Sequence, residues 1–149
     1  MTRFEANLLH VANLLVGGSG LVYAWMRYCV VPSEPFAVVN HPAQPTVLHL
    51  HVLTAPLLIF ASGLIWQAHV WARVRSGYRE RRKTGLTLAI GLAPMVLSGY
   101  ALQVCGSETW RTVWIAVHLS SSALWTTAFL LHRWRDWFGA RARDSVASR

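Results

Sequence analysis

Histidines inside long apolar segments are the residues of this sequence that could do chemistry. His118 and His132 stand fourteen residues apart in the last apolar run. On an α-helix, fourteen steps of about 100° return to within about 40° of the same face, with a rise of roughly 21 Å. Because ionisable side chains inside a bilayer are costly and usually serve a partner or a functional site, both imidazoles are candidate ligands.

The segments that carry these histidines are long enough to cross a membrane. The chain has 149 residues, of which 54% are hydrophobic and only 13% are charged. Its uncharged stretches are Ala6 to Met26, Pro35 to Ala72, Thr84 to Ser107 and Thr112 to His132. About 20 apolar residues span a bilayer, so we predict an all-α, transmembrane four-helix bundle. The expected domain is 1–138, with helices at about 5–30, 46–73, 84–105 and 110–135, and 139–149 is expected to be a flexible cytoplasmic tail.

Positive charges predict the orientation of these helices. Twelve of the fourteen Lys and Arg residues lie at Arg3, between Arg73 and Lys83, or from Arg133 onward. By the positive-inside rule, both termini are expected in the cytoplasm. Topology therefore explains most of the net charge of +8, and we expect membrane lipid and no nucleic acid among the partners.

This topology places five histidines at two depths. His51 and His118 are expected near the outer face, on helices that run in the same direction, and His10, His69 and His132 near the inner face. Zinc prefers four N or S ligands in a tetrahedron, whereas haem iron accepts axial imidazoles from facing helices, so paired levels favour haem. The chain has no Cys-x-x-Cys-His and no His-Glu-x-x-His. Covalent c-type haem is thereby excluded and a zinc protease is disfavoured.

The inner partner of His132 is open at this point, because His10 and His69 are nearly equally deep. On a straight α-helix His51 and His69, eighteen residues apart, would share one face. Any one of these histidines could also be a hydrogen-bonding residue between helices and nothing more.

The histidine pattern has a known counterpart. The sequence has one histidine early in the first helix, one near the outer end of the second, and two in the fourth that are fourteen residues apart. This set resembles the histidines of the di-haem cytochrome b membrane subunits of formate dehydrogenase and nickel-iron hydrogenase. The chain is also similar to small bacterial four-helix membrane proteins of the same kind.

The resemblance implies two b haems, with axial ligands His51 and His118 for the outer haem and His10 and His132 for the inner haem, next to a quinone site. His69 is the alternative inner ligand or a quinone contact. The implied function is electron relay between a quinone pool and a partner redox protein, in the bacterial inner membrane. Two alternatives stay open: a structural or assembly subunit without haem, and a quinone-linked reductase with its own substrate.

Several further residues have weaker expectations. We expect His49 to be interfacial, His41 to contact a haem propionate or solvent, and Arg27 and Arg111 to be interfacial or to pair with propionates. Cys29 and Cys105 could form a disulfide on an oxidising outer face. Gly17 lies on the same face as His10, where a macrocycle or a neighbouring helix could pack. No internal repeat is detectable in the sequence.

Overall fold

The computed structural model describes residues 2–32, 34–77 and 82–147, with side chains described as far as Trp134. This part of the chain is helical, without strands. The elements are α1 (Arg3–Tyr28), α2 (Gln44–Ile65), a π-helical segment (Trp66–Trp71), α3 (Ala72–Arg75), α4 (Arg82–Val104) and α5 (Glu108–Ala147).

The prediction of four long apolar helices is confirmed. Four helical stretches are long and apolar enough to cross a membrane: Arg3–Tyr28, Gln44–Arg75, Arg82–Val104 and Glu108–Trp134. Large apolar side chains such as Leu14, Leu53 and Ile90 are 75%, 79% and 70% exposed. So many exposed apolar side chains would be unfavourable in water, whereas they are favourable in contact with lipid. Length and exposure together indicate a multi-pass membrane protein.

The backbone of α5 is helical through Ala147, where the sequence predicts a flexible tail from 139 onward. Side chains from 135 onward, including Trp137, lie outside the described residues, as do residues 78–81 of the basic loop. The flexible tail therefore stays a prediction.

Local chemistry explains where the helices begin and end. Thr2 caps α1, since its hydroxyl accepts the Glu5 N–H at 3.2 Å while its own N–H donates to the Glu5 carboxylate at 2.7 Å. This reciprocal capping box satisfies two N–H groups that the helix cannot satisfy itself. Two residues after the end of α3, Gly77 adopts a φ of 67°, a left-handed conformation that stops a helix and favours glycine.

Two compact units make up the chain, Met1–Ala72 and Arg73–Arg149. The first is a hairpin in which α1 packs on α2. Positions seven residues apart face the partner helix: Ala12, Ser19 and Met26 on α1 are buried, and so are Gln44, Leu58 and Ile65 on α2. The side chain of Asn40 joins the loop to α1 by donating to the carbonyl of Arg27 at 2.8 Å.

The second unit is a hairpin of α4 and α5. Its facing residues also recur every seven positions, with Thr84, Gly91 and Ser98 on α4 and His118, Trp125 and His132 on α5. The hydrogen bonds place Ser98 against His118 and Thr84 against His132, so the two helices are antiparallel. The expected common face of His118 and His132 is thus the face that packs on α4.

Candidate functional site

The first candidate site is the imidazole of His51, which lies against the backbone of α1. Its Nδ1 is 3.0 Å from the carbonyl oxygen of Val16 and 3.3 Å from the hydroxyl of Ser19. A carbonyl oxygen can only accept, so Nδ1 must carry the proton in this bond. In the neutral ring the lone pair then resides on Nε2, which is the form of imidazole that binds a metal.

Gly20 allows this close approach. A Cβ added at Gly20 would lie 2.9 Å from Cε1 of His51 and 3.2 Å from its Nδ1. Glycine is therefore required by the position of the ring, since real Cβ atoms do not come so close to other heavy atoms. Gly17 and Gly18, in the same short run, have no side chain or other atom within 4 Å of an added Cβ, so only Gly20 is needed for this contact.

The second candidate site is the imidazole of His118, and its surroundings repeat those of His51. Nδ1 of His118 is 3.1 Å from the carbonyl oxygen of Met95 and 3.2 Å from the hydroxyl of Ser98. A Cβ added at Gly99 would lie 3.2 Å from Cε1 of the ring. The same tautomer follows, with the proton on Nδ1 and the lone pair on Nε2.

Both histidine sites use one spacing on the preceding helix. The imidazole contacts the carbonyl of residue i, the serine at i+3 and the glycine at i+4. In α1 these residues are Val16, Ser19 and Gly20. In α4 they are Met95, Ser98 and Gly99. We call each of these sets a histidine seat. The seats form a structural repeat that the sequence analysis missed. The available signal was the Ser-Gly pair at 19–20 and at 98–99, each followed by a helix that carries a histidine.

His132 is held by α4 in a related way. Its Nδ1 is 2.9 Å from the hydroxyl of Thr84, and a Cβ added at Gly85 would lie 3.8 Å from its Cε1. A hydroxyl can donate or accept, so this bond permits either tautomer. His132 lies on α5 seven residues from Trp125, which is itself seven residues from His118 and is only 8% exposed. The two histidines of α5 thus lie at opposite ends of one helix interface.

The first hairpin has no histidine in the position that corresponds to His132. Seven-residue steps from His51 lead to Leu58 and then to Ile65, both buried. His10 instead lies half-buried on α1, nine residues before Ser19, and its Nδ1 atom is buried. By α-helical periodicity, His10 is half a turn away from Ser19, which packs on α2. Gly17 shares the face of His10, and the space around an added Cβ there is open.

His69 lies within the π-helical segment, half-buried. A π-helical turn takes up an additional residue and rotates everything that follows it. The α-helical phase on which the expectation of a common face for His51 and His69 depends therefore does not continue through this stretch. π-helical turns are frequent at functional sites in proteins.

The weaker candidates have local explanations. His41 accepts the N–H of Ala43 at 3.1 Å in the turn before α2, and His49 is exposed. Arg111 lies 3.9 Å from the Glu108 carboxylate and donates to the carbonyl of Cys105 at 3.4 Å, at the start of α5. Cys29 and Cys105 are both free thiols, so the disulfide is absent from the structure.

Metal ligation by several side chains at once is not supported. Within the described ranges, no three His, Cys, Asp or Glu side chains come together as a group that could hold a metal ion. A tetrahedral zinc site would need four such side chains. Haem places a smaller demand on the protein, because the porphyrin supplies four of the six iron ligands and the chain only the axial ones.

Comparison with known proteins leaves the likeness to cytochrome b subunits as a hypothesis. The chain matches no protein-family model, no curated protein and no solved structure. The hypothesis therefore depends on the histidines themselves, on their seats and on the membrane-length helices that carry them.

Proposed function

We propose that this chain is a di-haem cytochrome b subunit of the bacterial inner membrane, folded as a transmembrane four-helix bundle with both termini in the cytoplasm. It relays electrons across the membrane between a quinone pool and a partner redox protein. It acts as the electron-transfer subunit of an oxidoreductase complex rather than as an enzyme alone. Haem supplies the one-electron redox chemistry when bound, and the protein supplies ligands, orientation and a low-dielectric environment.

The matched seats of His51 and His118 carry this proposal. In both, a main-chain carbonyl about 3 Å from Nδ1 selects the tautomer whose Nε2 can bind iron. Metal-bound histidines characteristically donate their other N–H to such an acceptor, which fixes the ring and raises its basicity. Two rings prepared in the same way are suited to be the two axial ligands of one outer haem.

His132 and His10 are the residues that would hold the inner haem. Helical periodicity supports this assignment, because it puts His10 half a turn from Ser19, which packs on α2, so that the imidazole can serve a group outside its own hairpin. The open surface at Gly17 on that face suits a flat macrocycle. His69 remains the alternative inner ligand, or a quinone contact, since imidazole can exchange a proton with a quinone near neutral pH.

A structural or assembly subunit is the competing function, and a specific observation favours it. The bonds from His51 to α1 and from His118 to α4 also hold the helices of each hairpin together. Interhelical hydrogen bonds of this kind occur in membrane proteins that bind no cofactor.

Purification in mild detergent, followed by visible spectra of the oxidised and reduced protein and a pyridine haemochrome assay, distinguishes the two functions. We expect about two non-covalent b haems per chain, one for each pair of axial histidines. A protein that purifies folded and without haem, from cells that supply haem to another membrane cytochrome expressed as a control, would contradict the proposal and favour the structural subunit.

A further inference from the structure

The serine of each histidine seat has a hydroxyl whose hydrogen is already engaged within its own helix. Ser19 donates to the carbonyl of Leu15 at 2.6 Å, and Ser98 donates to the carbonyl of Pro94 at 2.6 Å. Toward Nδ1 of the histidine, each serine oxygen can therefore act only as an acceptor. The ring N–H is thus shared between two acceptors, one carbonyl and one hydroxyl.

We propose that Ser19 and Ser98 are matched positioning residues, which hold His51 and His118 in the Nδ1–H tautomer and limit the rotation of each ring. The inference rests on the proposed function, since it assigns the serines a purpose through histidines that ligate haem. Two acceptors side by side restrict the ring more than a single carbonyl does, because the N–H must point between them.

Packing alone does not account for these hydroxyls. Ser98 is fully buried and Ser19 is 9% exposed, so neither position suits a large side chain, but alanine would also fit and is the better helix former. A serine that bonds back to its own helix slightly destabilises that helix. The hydroxyl is instead used by the histidine, at 3.3 Å in α1 and 3.2 Å in α4.

The chain offers matched controls in each hairpin. Ser62 of α2 is 6% exposed, and its hydroxyl has no hydrogen-bond partner among the described residues. Ser121 of α5 bonds back to Val117 at 2.7 Å and to the main chain of His118 at 3.2 Å, as a seat serine bonds to its own helix. Substituting either control removes a hydroxyl from a membrane helix without removing an acceptor from a histidine ring.

The test uses the full-length protein labelled with ¹⁵N-histidine in detergent, as the wild type and as the Ser19→Ala, Ser98→Ala, Ser19→Thr and Ser98→Thr variants. Where Nε2 is not bound to iron, ¹⁵N chemical shifts report the tautomers. We expect the population ratio of the Nδ1–H tautomer to the Nε2–H tautomer to fall about fivefold, because losing one hydrogen bond of about 1 kcal/mol changes an equilibrium by that factor. The change should occur for His51 in Ser19→Ala and for His118 in Ser98→Ala. Threonine keeps the hydroxyl and should restore the ratio.

Where the protein carries haem, the readout is the midpoint potential. Losing an acceptor at Nδ1 makes the imidazole a weaker electron donor and stabilises reduced iron. Ser19→Ala and Ser98→Ala should therefore raise the midpoint potential of the same haem and leave that of the other haem unchanged. Ser19→Thr and Ser98→Thr, which keep the hydroxyl, should have the wild-type potential. Ser62→Ala and Ser121→Ala should change neither readout.

The two proposals fail differently. Wild-type protein without haem would contradict the proposed function, and the tautomer ratio would still decide the role of the serines. An unchanged tautomer ratio in haem-free protein, or an unchanged potential in haem-bearing protein, would overturn the inference while leaving haem binding intact. An equal change in the control variants would overturn it as well.

Discussion

A histidine on a membrane helix can bind a metal only if its ring has the right tautomer and the right rotation. The main-chain carbonyls of Val16 and Met95 set the tautomer of His51 and His118. A carbonyl cannot be removed by substituting a side chain, so this part of each seat is insensitive to most point mutations. The histidines themselves are the residues whose replacement should have the largest effects.

The first prediction concerns the pairing of ligands. His51→Ala and His118→Ala should each remove the same haem, because a bis-histidine iron loses its low-spin spectrum when either ligand is missing. His132→Ala should remove the other haem. His49→Ala, a change on an exposed face of the same helix as His51, should retain both. Low-temperature spectra of the α-bands measure the result, and loss of different haems in His51→Ala and His118→Ala would contradict the pairing.

The second prediction separates His10 from His69. If His10 is the inner ligand, His10→Ala should reproduce the spectrum of His132→Ala. His69→Ala should then retain both haems and slow their reduction by a quinol about 100-fold or more, since the lost imidazole no longer accepts the quinol proton. Stopped-flow reduction and the haem content together measure the outcome. Haem loss in His69→Ala with full haem content in His10→Ala would exchange the two roles.

At the scale of the helices, glycine decides how close each ring comes to the neighbouring backbone. Gly20 and Gly99 take the same place in the two seats, one residue after the serine. Both helices also contain glycines where an added Cβ would meet nothing within 4 Å, namely Gly18 in α1 and Gly91 in α4. Comparing glycine-to-alanine substitutions at the two kinds of position in one helix therefore distinguishes the effect of contact with the histidine from the effect on helix propensity.

The third prediction follows from this contrast. Gly20→Ala should displace His51, because the new Cβ would lie 2.9 Å from Cε1, and overpacking of this kind costs about 1–3 kcal/mol. Gly99→Ala should act on His118 in the same direction but less strongly, at 3.2 Å. We expect both to lower the occupancy of the outer haem. Gly18→Ala and Gly91→Ala should leave it unchanged, and an equal loss in all four variants would contradict the prediction.

At the scale of the whole molecule, charge and hydropathy determine how the chain crosses the membrane. The described helices alternate in direction within each hairpin, so Cys29, after α1, and Cys105, after α4, are expected on the outer face. Ser76, exposed just before Gly77, is expected on the inner face with the basic loop.

The fourth prediction tests this topology by thiol labelling. Cys29 is exposed and Cys105 partly exposed, and both are free. In spheroplasts, a membrane-impermeant maleimide added outside should label Cys29 in the Cys105→Ser variant and Cys105 in the Cys29→Ser variant. A Ser76→Cys variant without the native cysteines should react only after the membrane is opened. Labelling of Ser76→Cys in intact spheroplasts would reverse the predicted orientation.

The class of structure and the spans of the helices could be predicted from the sequence. The observed bounds of α1, of the helical stretch Gln44–Arg75, of α4 and the start of α5 fall within a few residues of the predicted ones, because a bilayer requires a run of about 20 apolar residues and charges interrupt the runs. The common face of His118 and His132 was also predictable, since helical periodicity depends on position along one segment alone.

The groups that contact the histidines could not be predicted from the sequence, because they depend on how the helices pack together. Val16 and Ser19 are 35 and 32 residues from His51, and Met95 and Ser98 are 23 and 20 residues from His118. Helical periodicity cannot predict which turn of one helix lies opposite a given turn of the next, because that register depends on the loop and on packing between the helices. The π-helical turn around His69 changes the helical phase in the same way, through packing that no single segment specifies.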